Sequence, residues 1–127
     1  MKMIKYIELP EFQKDFKSLQ KRYRSLDSDF ETFKKYSIEV FYEQKVPVNS
    51  FVKVEGFCNE KCISYKVRKF ACKSLPGKGS NSGIRIIFIW QNIDGINTIT
   101  FVEMYFKGDK AEEDRNRLRN ILKNLSV

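Results

Sequence analysis

Lys66, Arg68, Arg85, Tyr105 and Lys107 are the residues of this sequence best suited to do chemistry. Each falls in a run with β-strand patterning: Tyr65-Lys66-Val67-Arg68-Lys69-Phe70, Gly83-Ile84-Arg85-Ile86-Ile87-Phe88, and the stretch from Thr100 to Lys107. Buried charge is expensive, so cations set into apolar strands call for a purpose. Strand alternation puts Lys66, Arg68, Phe70 and Cys72 on one face of the first run. It groups Arg85 with Gly83, Ile87 and Ile89 on the second, and Glu103 with Tyr105 and Lys107 on the third. If these faces coincide, they form a cationic surface for an anion. On an RNA backbone, the set suits attack of a 2′-hydroxyl on its adjacent phosphate. Arg68 and Arg85 would stabilise charge on the phosphoryl oxygens in bidentate fashion. Lys66, crowded by other cations, is the candidate base, and Tyr105 or Lys107 would orient or protonate the leaving 5′-oxygen. The plainer reading of the same residues is a solvated basic face or a docking groove.

Charge supports an anionic partner. The net charge is +8, and between Lys61 and Lys107 eight cations face only Asp94 and Glu103. Such an excess favours a phosphate backbone or an acidic protein. Lys69, Lys73, Lys78 and Lys110 are the candidate RNA-binding lysines around the core set.

Other chemistries are poorly supplied. The chain has no histidine, which removes His-based acid–base catalysis and the usual second ligand type of zinc sites. Cys58, Cys62 and Cys72 are loosely spaced and lack a fourth ligand, so no metal is expected. The segment from Gly77 to Gly83 has the composition of a phosphate loop. It leads into a strand, however, where a nucleotide-binding loop opens a helix. The carboxylates read as scattered, without the pairing of a glycosidase or two-metal nuclease. No cofactor is implied. No apolar run reaches the ~20 residues of a membrane span, and the N-terminal residues do not pattern as a signal peptide. An odd cysteine count fits a reducing cytoplasm.

The elements that must position these residues read as one α+β domain over 1–127. Met3 to Leu9 reads as a strand, and Pro10 opens a helix whose apolar face is Phe12, Phe16, Leu19 and Tyr23. Ser28 and Glu31 suggest a capping box for a second helix, with Phe30, Phe33, Tyr36, Val40 and Phe41 on its apolar stripe. Together these suggest a helical hairpin. Phe51 to Val54 reads as a short strand, followed by three strong ones at about Cys62–Cys72, Gly83–Gln91 and Ile96–Lys107. Asp94-Gly95 predicts a tight hairpin between the last two. Asp109, with Glu112 three residues on, reads as the cap of a C-terminal helix burying Leu118, Ile121, Leu122 and Leu125. The result is a mostly antiparallel sheet of three or four strands after the hairpin, closed by that helix.

At Lys66-Val67-Arg68-Lys69-Phe70-Ala71, then Lys78-Gly79 and Ser82-Gly83-Ile84-Arg85-Ile86-Ile87-Phe88, the chain resembles toxins of the RelE/ParE/HigB superfamily of bacterial toxin–antitoxin modules. Met104-Tyr105-Phe106-Lys107-Gly108-Asp109-Lys110 resembles the segment of HigB-like members that leads into the C-terminal helix. The resemblance covers most of the chain. It implies a small microbial-RNase-like fold, ribosome-dependent cleavage of translated mRNA and neutralisation by a cognate antitoxin. It also implies that Lys66 and Arg68 are the family's basic strand pair and Arg85 its phosphate-stabilising arginine. The late tyrosine of RelE-type members is absent, with Asp114 or a neighbour in its place, and Gly108 or Lys107 replaces an arginine before the last helix. Phe88 stands where many relatives carry tyrosine. ParE-type members poison DNA gyrase and tend to lack the cationic cluster. A gyrase inhibitor and a non-catalytic basic binding module are the alternatives.

Overall fold

A computed structural model of the chain describes residues 4–48, 50–59, 61–75 and 81–125. Five strands form one sheet in the order β1-β5-β4-β3-β2. They are β1 (Ile4–Glu8), β2 (Phe51–Asn59), β3 (Cys62–Val67), β4 (Ile84–Ile93) and β5 (Ile96–Phe106). β1 runs parallel to β5, and every other pairing is antiparallel. The α+β layout expected from the sequence is therefore present. Among the described residues, no helix is long and apolar enough to cross a membrane.

Helices cover both faces of the sheet. α1 (Pro10–Arg22) starts at the proline, as its fixed φ favours. After a one-turn break come α2 (Leu26–Phe33), a π-helical turn (Lys34–Ile38) and α3 (Glu39–Glu43). Their inner residues, Phe12, Leu19, Leu26, Phe30, Phe33 and Ile38, meet Tyr65, Val67, Ile84, Ile86, Phe88, Ile99, Phe101 and Met104 from the sheet. Phe101 joins the sheet to the helices in the aromatic packing, with ring centroids 5.3 Å from Phe12 and 4.9 Å from Phe30. On the opposite face, α4 (Arg115–Leu125) lays Leu118 over Val54, Phe57, Cys62, Ile87, Ile89 and Val102.

Three local expectations are corrected. The first of the three strong strands ends at Val67, not Cys72: the Arg68 N–H bonds to the Ser50 carbonyl and the chain then leaves the sheet. Phe70 and Cys72 consequently join the core under α1–α3 and do not share a face with Lys66. Ser28 is not a helix cap. The helix has already begun at Leu26, and the Ser28 hydroxyl donates to the Ser25 carbonyl. Asp109 does not cap the last helix either, because it is drawn into an ion pair with Arg22 at 2.5 Å. Asp114 holds that place, its carboxylate accepting the Arg117 N–H at 3.0 Å.

Two side chains finish the edge of β5. β1 pairs with β5 only as far as Phe101, leaving backbone groups beyond it without a strand neighbour on that side. Asp15 of α1 accepts the Met104 N–H at 3.1 Å, and Arg117 of α4 donates to the Val102 carbonyl at 3.0 Å. Arg117 also bonds Asp15 at 2.7 Å and lies 3.2 Å from Glu11, so one ionic staple ties the two helical layers together around the sheet edge.

Candidate active site

The site sits on the α4 side of the sheet, and a bulge in β5 creates it. Ile87 pairs with Glu103, but the next residue of β4, Phe88, pairs with Phe101, so Val102 is an extra residue. Such a bulge places two successive side chains on the same face. Val102 packs under α4 while Glu103 bonds the segment ahead of it. Before the bulge, odd residues Ile99 and Phe101 face the α1–α3 core; after it, even residues Met104 and Phe106 do. The phase change turns Tyr105 to the α4 side, where it stands directly opposite Arg85.

Lys66 joins them from the neighbouring strand. It pairs with Ile87, two residues along β4 from Arg85, and so lies diagonal to the arginine on the same face. Arg68 follows the end of β3 with its side chain exposed. Its carbonyl accepts from Nη1 of Arg85 at 2.9 Å, which fixes the guanidinium beside the backbone that carries Arg68. The sheet thus brings together Lys66, Arg85 and Tyr105, with Arg68 at their margin.

Tyr105 is buried, yet its hydroxyl has no hydrogen-bond partner among the described residues. Burial pushes its pKa up to about 12, reinforced by the charges of Glu113 and Glu103 and opposed by Arg85. The phenol therefore keeps its proton through the neutral range, as a proton donor must.

The two carboxylates at this site are the feature that sequence reasoning missed. Glu103 is 1% exposed and Glu113 7% exposed. Glu113 accepts from the Lys66 ammonium at 2.8 Å and from Arg115 at 3.2 Å. Burial alone would raise its pKa, but the Lys66 hydrogen bond and the charges of Lys66 and Arg115 outweigh this and hold it below the ordinary value. Glu103 accepts from the Lys110 ammonium and, at 2.8 Å, from the Asp114 N–H. Lys110 also lies 5.2 Å over the Tyr105 ring. A glutamate in the middle of the apolar run from Thr98 to Phe106 was the available signal, since a strand buries such a group only with partners. Glu113, in a polar stretch, gave none.

The remaining expected residues lie around this centre. Lys107 is exposed in the turn after β5, its N–H bonded to the Gly83 carbonyl at 2.8 Å. Gly83, at the entry to β4, needs to be glycine: its φ is +90°, and the Phe106 ring lies 3.0 Å from where a Cβ would stand. Lys69 and Lys73 are exposed on the segment after β3. Ser25 anchors that segment to the start of α2. Its hydroxyl accepts from the Ser74 N–H at 2.8 Å and donates to Asp29 at 2.6 Å, and Asp29 in turn accepts the Lys73 N–H at 3.0 Å. Lys110 is engaged by Glu103, as above, and Lys78 lies outside the described residues. Cys62 and Cys72 are buried, and the side chain of Cys58 lies outside the described residues. Among the described residues, no group of three metal-ligating side chains comes together.

Compared with protein-family models, with curated proteins and with solved structures, the chain matches none.

Proposed function

We propose that this chain is the toxin of a RelE/ParE/HigB-like toxin–antitoxin pair, a cytoplasmic endoribonuclease that cuts translated mRNA on the ribosome. The observation that carries the reading is the apposition of Arg85 and Tyr105 across β4 and β5 with Lys66 on the next strand. A fixed cation beside a protonated, uncommitted phenol suits a phosphoryl transfer in which negative charge builds and an alkoxide leaves.

In the proposed reaction the 2′-oxygen forms a bond to phosphorus and the bond from phosphorus to the 5′-oxygen breaks. The products are a 2′,3′-cyclic phosphate and a 5′-hydroxyl. Arg85, with Arg68 beside it, holds the phosphoryl oxygens, and Tyr105 gives its proton to the departing 5′-oxygen. Lys66 is engaged as a donor to Glu113. While that contact stands it supplies charge to the phosphate; once the contact is surrendered, Lys66 in its amine form takes the proton of the attacking 2′-hydroxyl. Lys107, Lys69 and Lys73 extend the contact along the backbone. Lys110 covers the Tyr105 ring, so its segment moves aside for substrate.

The competing reading is a basic binding module without catalysis. It draws support from Lys66 and Lys110, whose charges are already met by Glu113 and Glu103. Incubating the purified chain with translating ribosomes separates the two. The nuclease reading expects mRNA fragments ending in 2′,3′-cyclic phosphate that Arg85→Ala and Tyr105→Phe abolish while ribosome binding persists. Intact message with retained binding would leave only the binding module.

A further inference from the structure

α1 carries a second cationic feature, away from the candidate active site. Lys14, Lys17 and Lys21 recur at spacings of three and four residues, which stacks them along one side of the helix over about 10 Å. That side is opposite the one formed by Phe12 and Leu19, which are buried. Arg24 continues the row just past the helix end, and all four side chains are exposed. Neither acidic residue of α1 neutralises them, because Glu11 and Asp15 are both spent on Arg117. Among the described residues, no carboxylate pairs with any of the four.

Helix chemistry does not account for the row. Cations favour a helix C-terminus, which explains Lys21 and its neighbour Arg22, but Lys14 and Lys17 lie too far from that end. Like charges three and four residues apart destabilise a helix, so the ridge works against its own element.

Two contacts link the end of α1 to segments that flank the site. Ser25 and Ser74 exchange backbone-to-hydroxyl hydrogen bonds at 2.9 and 2.8 Å, which sets Arg24 next to the segment bearing Lys73, Lys69 and Arg68. Arg22 bonds Asp109, which sets the end of α1 beside the turn bearing Lys107.

The composition of the surface selects the partner. The other exposed residues of the helix are Pro10, Glu11, Gln13, Ser18 and Arg22, with no exposed aromatic or large aliphatic anchor among them. Protein interfaces need such anchors, and single-stranded nucleic acid needs aromatic platforms for its unstacked bases. Cations interspersed with small polar donors suit the phosphates of a duplex, which are read from outside. We infer that the Lys14–Lys17–Lys21–Arg24 ridge docks the phosphate backbone of a folded, double-helical RNA while the sheet face addresses a separate strand. The choice of RNA over DNA rests on the ribonuclease reading; the ridge itself does not.

The test measures binding to an RNA duplex of about 16 base pairs across a salt series, with a DNA duplex of matching sequence alongside. The variant Lys14→Gln/Lys17→Gln/Lys21→Gln/Arg24→Gln should reduce the slope of log affinity against log salt by about 3. Its melting temperature should be unchanged or higher, since glutamine keeps helix propensity and the repulsion is gone. Arg85→Ala should change that slope by no more than about 1, which separates a failure of the ridge from a failure of the catalytic reading. In the wild type, the RNA duplex should shield Lys14, Lys17 and Lys21 from acetylation, a readout independent of any variant. An unchanged slope, or unshielded lysines, overturns the inference. Equal binding of the DNA duplex with an equal loss on substitution overturns the assignment to RNA.

Discussion

The Lys66 ammonium donates to Glu113 across 2.8 Å and so ties the end of β3 to the segment that introduces α4. Both groups are largely withdrawn from water, with side chains 24% and 3% exposed. Removing one partner strands the other, so Lys66→Met should cost about 2 kcal/mol, less than for an isolated buried pair because Arg115 still reaches Glu113. Lys66→Met/Glu113→Leu should recover most of that loss. Urea denaturation of the wild type, the single variant and the double variant decides; a double variant as weak as the single one contradicts the pairing.

The same pair sets an acid limit. The folded pKa of Glu113 lies below its unfolded value of 4.5. Its contribution to stability is therefore complete above about pH 4.5 and is lost as pH falls from there through the lower folded value. Lys66→Met should flatten this acid limb of the stability curve. An unaltered limb would assign acid sensitivity to other carboxylates.

Tyr105→Phe separates chemistry from packing. Its hydroxyl is buried with no partner among the described residues, so deleting it should leave the melting temperature unchanged or slightly higher. RNA cleavage should nevertheless fall by roughly 10²–10⁴-fold if the phenol protonates the leaving oxygen. Because the pKa is raised from 10.0 to about 12, stability from this group is intact below pH 10 and declines as pH rises through about 12. That alkaline decline should shrink in the phenylalanine variant. Full cleavage by Tyr105→Phe would remove the residue from the mechanism.

The staple at the sheet edge should matter more than its distance from the site suggests. Arg117 bonds Asp15, Glu11 and the Val102 carbonyl with only 14% of its side chain exposed. Arg117→Met should destabilise the fold by about 3 kcal/mol, because Asp15 and the unpaired edge of β5 both lose their donor. Hydrogen exchange of β5 backbone amides beyond Phe101 checks the cause, and protection at wild-type level would place the loss elsewhere.

Much of the scaffold was legible because its signals are local. Pro10 marks the start of α1, and Asp94-Gly95 forms the expected tight hairpin, with φ of 52° and 82° at the two residues. The site was legible in membership and less so in geometry. Strict alternation joined Lys66 to Phe70 and Cys72, but the chain leaves the sheet after Val67. Nor does alternation anticipate the bulge at Val102, which is what brings Tyr105 round to Arg85. The partners of Lys66 and Lys110 come from 47 and 7 residues away. The cap of the last helix went astray for the same reason: Asp109 has good capping chemistry, yet Arg22, 87 residues distant, claims it. Tertiary ion pairs override local propensity wherever a charged side chain has a better partner across the fold.

Induced expression of wild type and Arg85→Ala in a bacterial host, with 5′ ends of cellular mRNA mapped, tests the central claim most directly. The account predicts growth arrest and new cuts within translated reading frames for the wild type, with both lost in Arg85→Ala. Arrest with intact mRNA, or no arrest at all, would contradict it.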